Sequence, residues 1–346
     1  MLDIFSPQIS VVSKDMAGKS WITYGSNRTG KSKQACNFPK PCYLAFEAGL
    51  AGIPGVPFFP MRTWRDYTDF VKQITDPKNL ERAKEMYQTI IIDQIEAMGD
   101  ACAQYICSKF GVSALGEKKK TASGKEDFSF NGYKELDKEN QKWQRLLLLS
   151  GFSVHYIGHA TTQEITDENG ETYAKIQPKG DKRIVSAICD AVDMIIYVYP
   201  NGIDKNTGEE ILSSALLANT TRALAGSRID YMPPILKEYT AENLTKAVAD
   251  AIAKQEEITG NKAVSFAEQT AMYEDKEVHL PIEELKNTIG ALAVKMNEQG
   301  HGQDYYNIVD ECWGDHTTHR VSEAKEINRE ALEMILGDIR RLGFDN

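Results

Sequence analysis

The chain has 346 residues, of which 42% are hydrophobic and 26% charged, and its net charge is −10. This composition predicts a folded protein of about two domains and excludes the collagen, coiled-coil and disordered classes. No apolar run approaches the roughly 18 residues that a membrane span needs. The six cysteines form no C-x-x-C pair, which argues against structural zinc and predicts reduced thiols in the cytoplasm.

The charge is divided unevenly along the chain. Residues 241–346 hold 11 Lys+Arg against 21 Asp+Glu, whereas residues 1–240 hold 29 of each. This division excludes a protein that binds nucleic acid through a globally basic surface, but it leaves a local basic groove open. The acidic tail is expected to repel a phosphate backbone and to suit a protein partner better.

Residues 1–240 alternate short β-rich runs with longer helical patterns, which is typical of an α/β fold with a mainly parallel sheet. Several runs are wholly apolar, as expected for strands covered on both faces. Two stretches, 111–131 and 161–182, fit neither pattern and are predicted to be long functional or mobile loops. The pattern predicts strands at 20–24, 42–46, 89–92, 153–158, 194–199 and 214–217, and helices at 31–36, 64–74, 95–110 and 133–150.

From Thr240 onward the pattern becomes helical. Pro281 stands at the start of one predicted helix, and Gly300 and Gly343 stand at the ends of others. The chain is therefore predicted to have a core over 1–240, a helix and linker over 241–280, and a small acidic all-helical domain over 281–346. The predicted helices of this region are 242–257, 282–299, 304–313 and 322–342.

The motif that carries the most chemistry is a complete G-x-x-x-x-G-K-S phosphate-binding loop. It follows an apolar β run and precedes a helical segment, which is the context that such a P-loop requires. The glycines let backbone N–H groups surround phosphates, Lys31 supplies positive charge to the β- and γ-phosphates, and Ser32 ligates Mg²⁺. A glycine-rich turn without a ligand is the plain alternative. The members of the motif are Gly25, Ser26, Asn27, Arg28, Thr29, Gly30, Lys31 and Ser32.

Three further polar residues end predicted strands and are expected at the same edge of the sheet. Asp93 is predicted to hold Mg²⁺ through water, although a buried strand can also end in Asp by chance. Its neighbour Gln94 replaces the glutamate of many hydrolytic P-loop enzymes, so that either the base lies elsewhere or hydrolysis is slow. Glu47 is the candidate to orient the attacking water, and a solvated strand-end Glu is the alternative. His159 is predicted to sense the γ-phosphate, or else to be only structural.

This order of motifs resembles the RecA-like ATPase core. More closely, it resembles the phage AAA-domain nucleotide-binding proteins, which include RecA-like single-strand annealing and recombination ATPases. The resemblance covers roughly residues 18–240 and implies a RecA-like P-loop fold that binds ATP and Mg²⁺. It also implies that Lys31, Glu47 and His159 act in catalysis. Further matching stretches are 47–50, 54–56, 132–133, 158–159, 176–178 and 189–193.

The resemblance places DNA-binding loops in the two unassigned stretches. Lysines on mobile loops suit contact with the backbone of single-stranded DNA. Acidic residues are interspersed in both loops and aromatic residues are few, so that solvated charged loops are the alternative. The candidates are Lys118, Lys119, Lys120 and Lys125 in the first loop, and Lys175, Lys179, Lys182 and Arg183 in the second.

RecA-like assemblies also complete the ATP site with a basic residue from the neighbouring subunit. The resemblance points to Arg222 or Arg228, and Arg228 is preferred, with a surface salt bridge as the alternative. This feature implies a homo-oligomer.

Three functions compete on these residues. The first is a DNA-stimulated ATPase that acts on single-stranded DNA in annealing or strand exchange. The second is a nucleotide-switched loader or adaptor that controls a protein partner of the replication machinery through the acidic tail. The third, a small-molecule kinase, lacks an obvious arginine-rich lid.

Overall fold

The computed structural model describes residues 10–120, 124, 126–127, 129–166, 168–271 and 280–344. The chain forms two units, a first over Ser10–Met272 and a second over the described residues 280–344. The strands of the first unit are β1 Ser20–Gly25, β2 Pro41–Ala45, β3 Phe58–Pro60, β4 Thr89–Asp93, β5 Lys119–Lys120, β6 Glu126–Asp127, β7 Ser153–Thr166, β8 Thr172–Pro178, β9 Met194–Tyr199, β10 Ser214–Leu216, β11 Gly226–Ser227 and β12 Ile235–Leu236. Its helices are α1 Lys31–Ala35, α2 Trp64–Thr75, α3 Pro77–Met86, α4 Ile95–Phe110, α5 Gly132–Leu148, α6 Lys182–Ala191, α7 Ala241–Thr259 and α8 Phe266–Ala271.

The first unit is built on a mainly parallel sheet. Its strands run in the order β12-β10-β9-β1-β7-β4-β2-β3, and the strands from β9 to β3 are parallel neighbours. β10 and β12 extend one edge in antiparallel fashion, while β8 and β11 pair with β7 and β9 off this path. The predicted fold class, an α/β P-loop core with a helical C-terminal region, is confirmed.

Both faces of the sheet are covered, which explains the wholly apolar strands. Successive side chains of a strand point to opposite faces. In β4, Ile90 and Ile92 therefore belong to the core under α2, α4 and α5, whereas Ile91 packs on the other face with Tyr43 and Ile157. All of these side chains are buried.

Helix α7 belongs to the first unit. Its residues Leu244, Val248 and Ile252 share one buried cluster with Trp21 and Ile196 of the sheet. The helix of the predicted helix-and-linker segment 241–280 thus packs on the sheet of the first unit, because its apolar face covers that sheet.

The stretch 161–182, predicted as a loop, is a β-hairpin followed by the start of a helix. β7 continues past the sheet and pairs with β8 from Ala160–Pro178 to Thr166–Thr172. Gly170 lies in the turn with φ +83°, a left-handed conformation that glycine adopts without strain. The hairpin corrects the prediction of a loop, and the Asn169-Gly170 pair is the hairpin signal that the sequence contains. In the other stretch, the described residues include the short antiparallel pair β5–β6.

The second unit is helical, with its own buried core. Leu285, Ile289 and Leu292 pack against Val309 and Ile335 there. Its elements are α9 Ile282–Glu298, α10 Gly302–Cys312, the 3₁₀ turns Val321–Glu323 and Glu326–Asn328, and α11 Arg329–Arg341.

The helix predicted at 322–342 begins only at Arg329. Before it, the Asn328 side chain accepts the backbone N–H of Lys325 at 3.0 Å. Such local side-chain bonds compete with helical hydrogen bonding and favour turns. Within the described ranges of both units, every helix is too short or too polar to cross a bilayer.

The parallel strand β7 contains a fully buried histidine, His155. The His155 ring stacks on Trp21 with centroids 4.6 Å apart, and its Nε2 lies 2.9 Å from Thr23 Oγ1. Burial lowers the pKa of His155 from 6.5 to about 3. The native state therefore keeps this ring neutral where the unfolded chain takes up a proton.

This burial predicts a loss of stability in mild acid. Because the unfolded chain binds the proton that the native state excludes, His155 should lower the free energy of unfolding by about 1.4 kcal/mol per pH unit below pH 6.5. The loss should continue down to about pH 3, the folded-state pKa. Urea denaturation of the wild type and His155→Phe between pH 7 and pH 5 measures it, since the variant lacks this titration. Parallel stability curves would contradict the prediction.

Candidate nucleotide-binding site

The register of the parallel strands brings the predicted site residues to one edge. Gly25 at the end of β1 is paired with His159 of β7, and Asp93 at the end of β4 is paired with Ala45 of β2. Glu47 follows Ala45 by two residues. A cleft of about 230 Å³ opens there. It is lined by Asn27, Arg28, Thr29, Gly30, Lys31, Ser32, Lys33, Glu47, Gly49, Asp93, Gln94, Ile157 and His159.

Two glycines of the P-loop are required by the backbone itself. A Cβ atom on Gly25 would lie 2.1 Å from the carbonyl oxygen of Val198, so that no larger residue fits between the strands. Gly30 has φ +81°, which is the left-handed region, immediately before α1. The chain therefore turns sharply and lets Lys31 point back into the loop.

The Lys31 ammonium is held by the loop that it follows. It donates to the carbonyl oxygens of Gly25 at 3.0 Å and Ser26 at 2.7 Å, and only 6% of the residue is exposed. Burial lowers the pKa of Lys31 to about 8, against the opposing charges of Asp93 and Glu96. A buried cation of this kind gains most from an anion that displaces the carbonyl contacts.

Asp93 gathers two hydroxyl groups around one carboxylate oxygen. Ser32 Oγ donates to Asp93 Oδ2 at 2.7 Å, and the Tyr43 hydroxyl donates to the same oxygen. Gly49 leaves room beside them, since a Cβ atom there would lie 3.4 Å from Oδ2. A carboxylate and a hydroxyl are hard oxygen donors of the kind that Mg²⁺ prefers. The residues thus fit a magnesium ion next to the P-loop.

Glu47 is exposed on the cleft and is held by a buried amide. The Gln94 side chain, 7% exposed, donates its Nε2 hydrogen to Glu47 Oε1. Gln94, the residue after Asp93, is therefore a hydrogen-bond partner of the Glu47 carboxylate. Gln94 and Glu47 thus form a pair that spans the ends of the neighbouring strands β4 and β2.

Glu96 is a site residue that the sequence analysis missed. It lies in the first turn of α4, and its Oε1 accepts the backbone N–H of His159 at 2.8 Å and lies 3.3 Å from His159 Nδ1. Burial raises the pKa of Glu96, against the opposing effects of His159 and Lys179. In the sequence, Glu96 is marked only by its position three residues after Asp93. Its partner His159 lies 63 residues away, so that no local pattern shows the contact.

Comparison with known proteins agrees with this geometry. Residues 17–229 match the family model described as an AAA domain. The chain belongs to the AAA-domain family. It is also similar to the SPbeta prophage-derived uncharacterized protein YorG of Bacillus subtilis (strain 168), with 37% identity over 343 residues, or 99% of this chain and 98% of that protein. The predicted relation to a phage-associated AAA-type ATPase family is confirmed.

The lysines predicted to contact DNA are dispersed over the AAA domain. Lys179 is exposed at the base of the β7–β8 hairpin, and Lys182 is exposed at the first position of α6. Lys118 is exposed, and the ammonium of Lys119 lies 5.6 Å from the centre of the Phe110 ring. Lys125 and the side chain of Lys120 lie outside the described part of the chain. Of these residues, Lys179 lies nearest to the cleft, because its N–H donates to the His159 carbonyl at 2.8 Å.

The two candidate arginines lie at different places on the AAA domain. The Arg228 guanidinium donates to the carbonyl oxygens of Asp190 and Ala191 at the end of α6. The strand that precedes Arg228, β11, pairs with the first residues of β9. It therefore lies at the amino ends of the parallel strands, whereas the P-loop lies at their carboxyl ends. Arg222 precedes Ala223, which bridges to Ile176 of the hairpin. Within one chain Arg228 does not reach the cleft, and its role in a neighbouring site stays a prediction.

Proposed function

We propose that this protein is a RecA-like ATPase that acts on single-stranded DNA in phage recombination or annealing. The observation that carries the proposal is the convergence of the P-loop, Asp93 and Glu47 on one cleft at the carboxyl edge of the sheet. Membership in the AAA-domain family and the prophage-derived relative support a nucleotide-dependent role in phage biology.

Four residues of the cleft are assigned roles in ATP hydrolysis: Lys31, Ser32, Glu47 and Asp93. Lys31 would exchange its carbonyl contacts for the β- and γ-phosphate oxygens, and Ser32 with Asp93 would hold Mg²⁺. When bound, this ion neutralises phosphate charge. Glu47 orients a water molecule and accepts its proton as the water oxygen bonds to the γ-phosphorus. The bond from the γ-phosphorus to the β,γ-bridging oxygen breaks, ADP and phosphate leave, and Glu47 returns the proton to solvent.

The hairpin is the proposed element that meets DNA. It extends beyond the last paired residues of β1 and β4, and Lys179 at its base is exposed beside His159. Lys175, on β8, donates to the side chain of Asn219 at 3.1 Å. Backbone phosphates are expected to bind these ammonium groups in a salt-dependent way. A second copy of the chain is proposed to complete the assembly.

One observation favours a loader or adaptor as the second candidate. The charge excess of the chain is confined to residues 241–346, and most of this region forms a separate helical unit. An acidic unit of this kind suits a basic protein surface better than DNA. In this alternative, ATP controls a protein partner and DNA does not affect turnover.

ATP turnover with and without single-stranded DNA tests the proposal. We expect an oligonucleotide to stimulate turnover several-fold and the stimulation to decline as salt rises. Lys179→Gln should weaken the DNA response, measured as the ratio of turnover with DNA to turnover without it. Lys78→Gln, an exposed change on α3, is the control and should leave this ratio unchanged. Turnover that ignores DNA and responds to a protein partner would favour the adaptor.

A further inference from the structure

Glu96 stands where the nucleotide cleft meets the hairpin. Its Oε1 contacts both the backbone N–H and the ring Nδ1 of His159, a residue that lines the cleft. The next residue of β7, Ala160, begins the ladder with Pro178 of β8, and at this same end the His159 carbonyl accepts the N–H of Lys179. The Glu96 carboxylate thus holds His159, which belongs both to the cleft and to the base of the hairpin.

The surroundings of Glu96 favour a fixed contact over a mobile one. The Glu96 side chain is only 13% exposed, and in the described part of the chain its Oε2 has no hydrogen-bond partner. A Cβ atom on Gly158 would lie 3.8 Å from that oxygen, and one on Gly180 would lie 3.8 Å from Glu96 Cγ. Gly158 on β7 and Gly180, two residues after β8, therefore lie beside the Glu96 side chain at the base of the hairpin.

Resting on the proposed function, we propose that Glu96 is a positioning residue that couples the nucleotide cleft to the β7–β8 hairpin by holding His159. When His159 Nδ1–H is directed to Glu96 Oε1, Nε2 is the other polar atom of the His159 ring. Bound nucleotide changes the position of His159, and the bonds of its N–H and carbonyl carry this change to the ladder. Without the carboxylate, the cleft can still bind ATP, but the hairpin no longer responds.

Hydrogen–deuterium exchange of the full-length protein tests this coupling directly. In the wild type, a non-hydrolysable ATP analogue with Mg²⁺ should slow exchange of peptides covering 160–178. In Glu96→Ala this difference should disappear while the analogue still binds by calorimetry. Glu96→Gln retains an acceptor oxygen and should keep most of the response. Glu135→Ala is the matched control, because Glu135 also lies in the first turn of a helix and its carboxylate forms an ion pair with Lys138 of the same helix, at 3.4 Å.

Steady-state kinetics provide the second readout. We expect Glu96→Ala to lower kcat by about 10²-fold, the effect of a misplaced catalytic contact, with little change in KM. His159→Ala should have the same effect, and the double variant should be no worse than either single one. If Glu96 had only a structural role, Glu96→Ala and Glu96→Gln would both raise KM or lower the stability of the protein instead.

The possible outcomes separate this inference from the proposed function. If the wild type binds no ATP analogue, both are wrong. If it binds the analogue and the exchange of residues 160–178 stays unchanged, or if Glu96→Ala retains the full response, the coupling is wrong and the ATPase proposal stands. Additive losses in the double variant would also overturn the coupling.

Discussion

In Glu47→Gln, we expect ATP hydrolysis to fall by about 10²- to 10⁴-fold while ATP affinity changes little. Glu47 is the exposed carboxylate of the cleft, and the Gln94 side chain donates a hydrogen bond to its Oε1. The glutamine isostere fills the same space but cannot accept a proton from the attacking water. Single-turnover hydrolysis, together with calorimetric binding of ATP, measures the two effects separately.

Two controls sharpen this result. Gln94→Ala keeps the carboxylate and removes only its amide partner, so that its effect should be smaller than that of Glu47→Gln. Glu81→Gln neutralises an exposed glutamate on α3 that does not line the cleft, and should leave turnover unchanged. Normal hydrolysis in Glu47→Gln would show that another group activates the water.

The geometry favours Glu47 over Glu96 as the base. Oε1 of Glu96 is committed to His159 and its carboxylate is largely buried, so that it has little access to a water in the cleft. Glu47 is exposed, and it lines the cleft together with Lys31 and Asp93. The two glutamates therefore have different roles, one in chemistry and one in positioning.

The residues of the cleft could be predicted because parallel strands impose a simple rule. Apolar runs reveal the strands, and residues that follow such strands meet at one sheet edge. The structure brings Asp93, Glu47 and His159 together with the P-loop in this way. Their catalytic roles, in contrast, stay predictions that only activity measurements test.

The hairpin was missed because it lies outside the core. Thr162 and Glu164 are exposed, so that no apolar alternation marks this half of β7. The turn signal at Asn169-Gly170 was present, but polar strands give no period to accompany it. Glu96 was missed for a different reason: its partner is defined by the tertiary contact between α4 and β7, which no local pattern contains.

In Lys31→Met, we expect hydrolysis to be lost and ATP affinity to fall about 10- to 150-fold, which corresponds to about 1.5–3 kcal/mol for hydrogen bonds to a charged group. The variant should nevertheless fold at least as stably as the wild type. Burial lowers the pKa of Lys31 to about 8 from 10.5, so that the unfolded chain binds this proton more tightly. At pH 7 the buried cation therefore opposes folding, and this cost should decrease as the pH rises above 8.

This combination separates a functional lysine from a structural one. Removing a buried ammonium also removes its bonds to Gly25 and Ser26, but Ser26 is exposed, so that water can replace the ammonium at its carbonyl oxygen. Thermal unfolding at pH 7 and calorimetric titration with ATP and Mg²⁺ measure the two effects on the same samples. Lys78→Met, on the exposed surface of α3, is the control and should change neither. A large loss of stability in Lys31→Met, or unchanged ATP affinity, would contradict the assignment, because a phosphate-binding lysine lowers stability to serve its ligand.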